Sequence, residues 1–290
     1  MRLAVIGLGL IGGSLAWAAR RSGAYREVVG YDLTAGVAER AVAMGAIGMA
    51  AASPAEAAGL ADLVVVASPP LTVAAVLMEA AAGARPGAVL TDVAGFKGGL
   101  SEAIAGRLPD GVAYVGGHPM AGSERSGLSA ADPALFAGAV YAVAGRAGAP
   151  AAEAVADLAR NVGARPLYID PAVHDRAVAT VSHLPYLLAV GLCLAAEAAG
   201  PAAEELAAGA FRDATRVAAG PPEVGRGMCL ANAAEAGRAW TELRTIIDGL
   251  VADLTRPGAD LASGDDDRYE RARAFRNGLG GPVRKGRDDR

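Results

Sequence analysis

Cysteine is nearly absent: the 290 residues hold only Cys193 and Cys229. Neither stands in a CxxC or metal-type spacing, which excludes a disulfide framework and a thiolate metal site, and no metal is expected. Both are expected to be buried small apolar residues, and their scarcity fits a reducing, cytoplasmic location. Aromatics are 4% of the chain, so the core must be built from Ala, Val and Leu. No uninterrupted apolar run of about 18 residues is seen, so no membrane span is expected. The apolar N-terminus has glycines at turn spacing and lacks the basic region and cleavage site of a leader. An excess of positive charge is also missing. The net charge of −4 argues against nucleic acid as a partner. Lysine is limited to Lys97 and Lys285, and histidine to His118, His174 and His183.

What is present is apolar residue in quantity, 53% of the chain, enough for a full core and, on length, for roughly two domains. The first half alternates short β-type runs with helical segments. The runs are Leu3–Ile6, Val28–Asp32, Ala61–Ala67 and Ala88–Asp92, with further strands at Tyr114–Gly116, Ala139–Val143 and Pro166–Ile169. Strands without polar alternation, separated by helices, predict an α/β fold: a doubly wound, Rossmann-like parallel sheet. Asp170-Pro171 is an N-cap followed by proline at the first helical position. From there to about Leu261 nearly everything reads as helix, broken at Gly200-Pro201 and Gly220-Pro221-Pro222. The expected division is a dinucleotide-binding domain over 1–169, an all-α domain over 170–278 and a disordered tail over 279–290, with a charged helix at Asp265–Arg276. Ala-rich helices bury little area each, so a second copy packing against the helical domain, a homodimer, is expected.

Gly7-Leu8-Gly9-Leu10-Ile11-Gly12 matches GxGxxG directly after the first strand and at the start of a helix. Gly7 permits the tight turn, Gly9 the approach of a pyrophosphate, and Gly12 close helix–strand packing. The N–H groups of the helix start, at Leu10 and Ile11, face the phosphates. Asp32 ends the second strand, twenty residues beyond Gly12. A carboxylate there accepts from ribose hydroxyls and repels a 2′-phosphate, and Leu33 and Thr34 offer no arginine for one, so NAD is expected over NADP. Ser68, at the end of the third β-run, is expected to line the cofactor cleft, with a plain Ser-Pro turn as the alternative.

His118 stands on the loop Gly116-Gly117-His118-Pro119-Met120-Ala121-Gly122-Ser123-Glu124, where a proton acceptor near a nicotinamide suits a dehydrogenase. His174 and His183 are nine residues apart on one predicted helix and so point in opposite directions unless the helix is kinked. Four segments, GLGLIGGSL, GGHPMAGSE, the HDxxxAxxSHLP helix and FRDATR (Phe211–Arg216), together resemble the TyrA family of prephenate and arogenate dehydrogenases from Met1 to about Leu250. The resemblance implies a Rossmann-like NAD(P) domain and a helical dimerisation domain; no segment is left for the ACT regulatory domain some members carry, and no chorismate mutase domain is expected. It implies oxidative decarboxylation of a cyclohexadienyl carboxylate: prephenate to 4-hydroxyphenylpyruvate, or arogenate to tyrosine. By the same resemblance His118 is the base that takes the ring hydroxyl proton, and Arg216 grips a substrate carboxylate. His183 lies near the substrate, and Ser123 and Glu124 line the entrance. Two positions depart from the family. Gly95, in Asp92-Val93-Ala94-Gly95-Phe96-Lys97, stands where members carry a serine that shares the substrate hydroxyl. A tryptophan expected shortly after FRDATR is replaced by Glu223-Val224-Gly225-Arg226. The first departure raises the alternative of a substrate with an altered ring substituent, 4-amino-4-deoxyprephenate. A non-catalytic NAD-binding regulator is a more distant alternative. Lys97 is open between binding an anion and standing solvated at the surface.

Overall fold

The computed structural model describes residues 1–146, 148–256 and 267–279. Six parallel strands form the first sheet: β1 (Arg2–Ile6), β2 (Glu27–Tyr31), β3 (Met49–Ala50), β4 (Leu63–Val66), β5 (Val89–Asp92) and β6 (Ala113–Tyr114). Their order is β3-β2-β1-β4-β5-β6. The chain winds outward from β1 to β3, returns, and winds outward the other way from β4, so the order reverses between β1 and β4. The apolar runs explain why both faces are covered. Alternate residues go to opposite sides: Leu3, Val5, Leu63 and Val65 pack against helices Leu10–Ser22 and Pro150–Asn161. Ala4, Ile6, Val64 and Val66 pack against helices Pro54–Gly59 and Val73–Gly83. In register, Ile6 lies opposite Tyr31 and Val66, and Val66 opposite Asp92. The carboxyl ends of β1, β2, β4 and β5 are therefore level, with the reversal among them. Open α/β sheets bind ligands at such an edge.

The strand expected over Tyr114–Gly116 is two strands in different sheets. Val115 makes the last bond to the first sheet, donating to the Leu90 carbonyl. Gly116 then begins β7 (Gly116–Pro119), which pairs antiparallel with β8 (Val140–Ala144), itself parallel to β9 (Arg165–Tyr168). The two glycines make this crossing feasible. A Cβ on Gly116 would lie 2.7 Å from Lys97 Cδ, and one on Gly117 would lie 2.6 Å from the Asp92 carbonyl oxygen.

Asp170 caps helix Pro171–Val178, accepting from the Ala172 and Val173 amides. A π turn, Ala179–His183, follows and leads into helix Leu184–Ala199. Helices Pro201–Glu205, Gly209–Thr215, Pro222–Ala231 and Ala233–Thr255 come next. Contacts group the chain into one compact unit, Met1–Trp240, and a second beginning at Thr241. Within the second, helix Arg268–Gly278 stands where a charged helix is expected, and Arg268 pairs with Asp253. Asp265 and residues 280–290 of the expected tail lie outside the described residues.

The helical run Pro171–Ala199 has the length and mean composition of a bilayer-crossing helix, but His174-Asp175-Arg176, Ser182-His183 and Glu197 interrupt it, so it holds no unbroken apolar run of about 18 residues, as the sequence predicts. It also carries the buried His174 and Asp175 in its first turns. One expectation is corrected: Cys193 is exposed and Cys229 partly so, not buried. For Cys193 the reason is that helix Leu184–Ala199 is apolar on nearly every side while burying only Leu184 and Ala189. Cys193 shares its open surface with Leu192 and Leu194.

Candidate active site

The glycine turn has the geometry its sequence predicts. Gly7 sits at φ +94°, in the left-handed region, and its amide donates to the Tyr31 carbonyl at 2.8 Å. A Cβ on Gly12 would lie 1.9 Å from the Gly7 carbonyl oxygen, so nothing larger than hydrogen fits. Gly9 faces open space, with no atom within 4 Å of the place its Cβ would take. Helix Leu10–Ser22 starts there with no side-chain cap and no acidic residue in its first turn. The side chain of Leu10 is buried, so Leu10 and Ile11 present main-chain N–H groups to an anion. Asp32 accepts from the amides of Leu8, at 2.7 Å, and Thr34, at 2.8 Å, which aims its carboxylate along the same edge with lone pairs to spare. The Ser68 hydroxyl is buried beside this turn with no hydrogen-bond partner. An open cradle at Gly9, an uncapped helix start and an orphaned hydroxyl together fit a dinucleotide. Replacing Gly12 with Ala should raise the Kd for NAD at least about ten-fold and cost about 1–3 kcal/mol of stability. Calorimetric titration and denaturant unfolding measure the two effects, and unchanged values would contradict this packing.

Next along the edge, Asp92 is fully buried at the end of β5 and gathers four donors. They are the Lys97 ammonium, the Ala94 amide at 2.7 Å, the Tyr114 hydroxyl at 2.7 Å and, more weakly, the Gly117 amide at 3.4 Å. Lys97 is itself fully buried, so the solvated reading is wrong, and its ammonium is committed to Asp92 rather than to an external anion. Burial draws Lys97 below the ordinary lysine range, against the pull of Asp92. The Gly117 contact ties β7 to this edge, and His118 follows immediately.

His118 is not an isolated loop histidine. Its Nδ1 lies 2.9 Å from His174 Nε2, and His174 Nδ1 lies 2.8 Å from Asp175 Oδ1. Asp175 accepts the Lys97 amide on Oδ1 and the Gly98 amide on Oδ2, both at 2.7 Å. Burial opposes charge on Asp175, but the His174 ring and these two amides hold its pKa below the usual aspartate value. A carboxylate only accepts, which places a proton on His174 Nδ1; with both rings neutral the rest of the pattern follows. His174 carries its proton on Nδ1, its Nε2 accepts from His118 Nδ1–H, and His118 Nε2 keeps a free lone pair. Burial, followed by the charges of Lys97, His174 and His183, puts the His118 pKa well below 6.5. His118 therefore stays neutral, able to accept a proton.

His183 joins the same cluster. It is fully buried; its Nδ1 lies 3.4 Å from Asn232 Nδ2, which also donates to the Asp175 carbonyl at 2.8 Å. Burial lowers its pKa, against the Gly95 carbonyl and Asp175. The expectation that His174 and His183 point apart assumes an unbroken α-helix. The π turn ending at His183 advances each residue by a smaller angle and swings His183 back toward His174. Both depressed histidines make stability pH-dependent. The unfolded chain takes up protons near pH 6.5 while the folded chain does not, so stability is present above 6.5 and is lost below it. The melting temperature should fall between about pH 7 and pH 5, and the fall should shrink in a His118→Asn variant. A melting temperature flat over that range would contradict the buried, neutral state.

Arg216 and Glu124 are brought together, Nη1 to Oε2 at 2.9 Å, but they remain 57% and 36% exposed. The Glu124 pKa is lowered, first by its own backbone hydrogen bond and then by Arg216. Ser123 accepts from the Arg125 amide in a loop; the nearest helical turn is Leu128–Ala130, so helix capping does not explain it. Gly95 lies between helices and histidines: a Cβ there would be 3.6 Å from His118 Cε1 and 3.3 Å from Met228 Cγ. Sequence reasoning missed His174, Asp175, Asn232 and Met228. The adjacent pair His174-Asp175 carried a signal, a ring beside a carboxylate.

The sheet, its glycine turn and Asp32, followed by an all-helical portion, define a Rossmann-type dinucleotide-binding protein. Residues 15–168 match the nucleotide-binding domain of prephenate dehydrogenase, and residues 170–262 match its dimerization domain. The chain is 33% identical over 232 residues to prephenate dehydrogenase of Bacillus subtilis, covering 78% of this chain and 62% of that protein. It is 31% identical over 274 residues to cyclohexadienyl dehydrogenase of Zymomonas mobilis, covering 91% and 90%. The crystal structure of prephenate dehydrogenase from A. aeolicus in complex with hydroxyphenyl propionate and NAD+ superposes with a TM-score of 0.82, at 25% identity, over 96% of this chain and 97% of that one. The chain belongs to the prephenate dehydrogenase family. It spans about three fifths of the length of its Bacillus relative.

Proposed function

We propose that this protein is an NAD-dependent dehydrogenase that converts prephenate to 4-hydroxyphenylpyruvate, carbon dioxide and NADH, with His118 as the base. The observation that carries the reading is the Asp175–His174–His118 chain, which leaves His118 Nε2 as a free acceptor on a neutral ring. His118 Nε2 takes the proton of the hydroxyl on the reacting ring carbon, which drives hydride from that carbon. Loss of the ring carboxylate as carbon dioxide then restores aromaticity. Such a base is worth about 10²–10⁴ in rate. When bound, NAD supplies the hydride acceptor. Gly7, Gly9, Leu10, Ile11 and Gly12 hold its pyrophosphate, Asp32 its ribose, and Ser68 lines its cleft. Asp32 favours NAD over NADP.

Arg216 supplies a planar fork for a substrate carboxylate. Its half-exposed pair with Glu124 is worth no more than about 1 kcal/mol, so an entering carboxylate can displace Glu124. Ser123 shares that entrance, and His183 and Gly95 line the substrate side. The working division is 1–169 for the cofactor and 170–278 for substrate and dimerisation, supported by the point at which the two family matches meet. The open leucine face of helix Leu184–Ala199 supports a homodimer, and the free cysteines support a cytoplasmic setting. One observation favours a second reading: with Gly95 and Met228 beside His118, an amino group in place of the ring hydroxyl is the alternative substrate feature. Purified protein with NAD or NADP and prephenate, arogenate or the 4-amino acid, followed by NADH absorbance, separates the readings. Turnover of prephenate with NAD is expected; turnover of none of the three would leave a non-catalytic binding protein.

A further inference from the structure

The wall beside His118 is built from two helices' worth of chain and contains no hydroxyl at position 95. A Cβ on Gly95 would stand 3.3 Å from Met228 Cγ and 3.4 Å from its Sδ, closer than a side chain sits without the neighbour yielding. Met228, on helix Pro222–Ala231, therefore crowds the place a side chain at 95 would take and would have to yield by a few tenths of an ångström. Its sulfur accepts the Ser182 hydroxyl at 3.6 Å, which engages that donor. Gly95, His118, Ser182 and Met228 all keep part of their surface open, so this is a lining and not a sealed core.

Resting on the reading of His118 as the base, we infer that Met228 is a specificity-determining residue for the group on the reacting ring carbon. A hydroxyl there brings one donor and two lone pairs. An uncharged amino group brings two donors and one lone pair. His118 Nε2 receives one donor from either. Beyond it the wall offers a thioether, a weak acceptor that can take a second N–H but gives nothing to an oxygen lone pair. The Gly95–Met228 pair thus narrows the usual preference for hydroxyl over amino. The two positions are coupled: a hydroxyl at 95 must displace Met228 by a few tenths of an ångström, and shortening Met228 removes that demand.

The test is the ratio of kcat/KM for prephenate over its 4-amino counterpart, in wild type, Gly95→Ser, Met228→Ala, Met228→Leu and the double variant Gly95→Ser/Met228→Ala. A purely structural role would change both substrates equally and leave the ratio fixed. Gly95→Ser and Met228→Leu alone should move it by less than about three-fold, and the double variant by about ten-fold toward the hydroxyl acid, the worth of one hydrogen bond. A ratio equal in all five proteins overturns the inference. So does a Gly95→Ser single that moves it as far as the double. Where Ala at 228 fails to fold, Met228→Val takes its place. If wild type turns over neither acid, the functional reading itself fails. The same ratio is then read from binding of 3-(4-hydroxyphenyl)propionate against 3-(4-aminophenyl)propionate to the NAD complex, and a constant ratio there again overturns the role of Met228.

Discussion

A His118→Asn variant should lose about 10²–10⁴ of kcat while its Kd for NAD stays within about two-fold. Asparagine retains an amide donor close to the position of Nδ1, so the bond to His174 Nε2 has a substitute. What it lacks is the second ring nitrogen, the one the Asp175–His174 chain leaves without a proton. The loss should therefore fall on kcat, with KM little changed. Asp175→Asn should do the same to a smaller degree, because an amide at 175 permits the wrong tautomer at His174 and, through it, at His118. Stopped-flow single turnover separates this chemical step from product release. A His118→Asn enzyme at full single-turnover rate would refute the base assignment.

The second large effect is on stability. Lys97→Met should cost about 3–5 kcal/mol, because it leaves the Asp92 carboxylate charged and unpaired at zero exposure. The Ala94, Gly117 and Tyr114 donors remain, but none carries charge. Replacing both partners, Lys97→Met with Asp92→Leu, should recover much of the loss, since an apolar pair needs no desolvation of charge. Urea unfolding with unchanged slope measures both. A cost under about 1 kcal/mol for the single variant, the value of a surface pair, would mean that Lys97 reaches water. The variant should also blunt catalysis, because the same segment carries Gly95 and the amides of Lys97 and Gly98 that hold Asp175.

The legible parts of the fold were those governed by local rules. Unbroken apolar strands, the glycines at 7, 9 and 12, the Asp170-Pro171 start and the carboxylate at 32 each follow from nearest-neighbour chemistry, and each stands where the pattern places it. His118 was legible as a candidate base but read as a loop residue, whereas it stands in β7 opposite Ala142, and its partner was not legible. Helical spacing sends His174 and His183 apart, and only a π turn, which has no reliable sequence mark, brings them to one side. Lys97 illustrates a second limit. A single lysine between Phe96 and Gly98 reads equally as an anion contact or a solvated side chain, and its burial depends on Asp92, on the Gly116-Gly117 crossing above it, and on the absence of side chains there. Met228 illustrates a third. It comes from a helix more than a hundred residues away in sequence from Gly95, and nothing local links the two.

The dependence of kcat/KM on pH for prephenate oxidation, with NAD saturating, tests most directly that a relay-held neutral His118 is the base. The expected result is NADH formation with a single group on the acid limb, its break well below pH 6.5, where burial and the neighbouring charges place His118. No NADH formation, or an acid limb that breaks at or above 6.5, would contradict it.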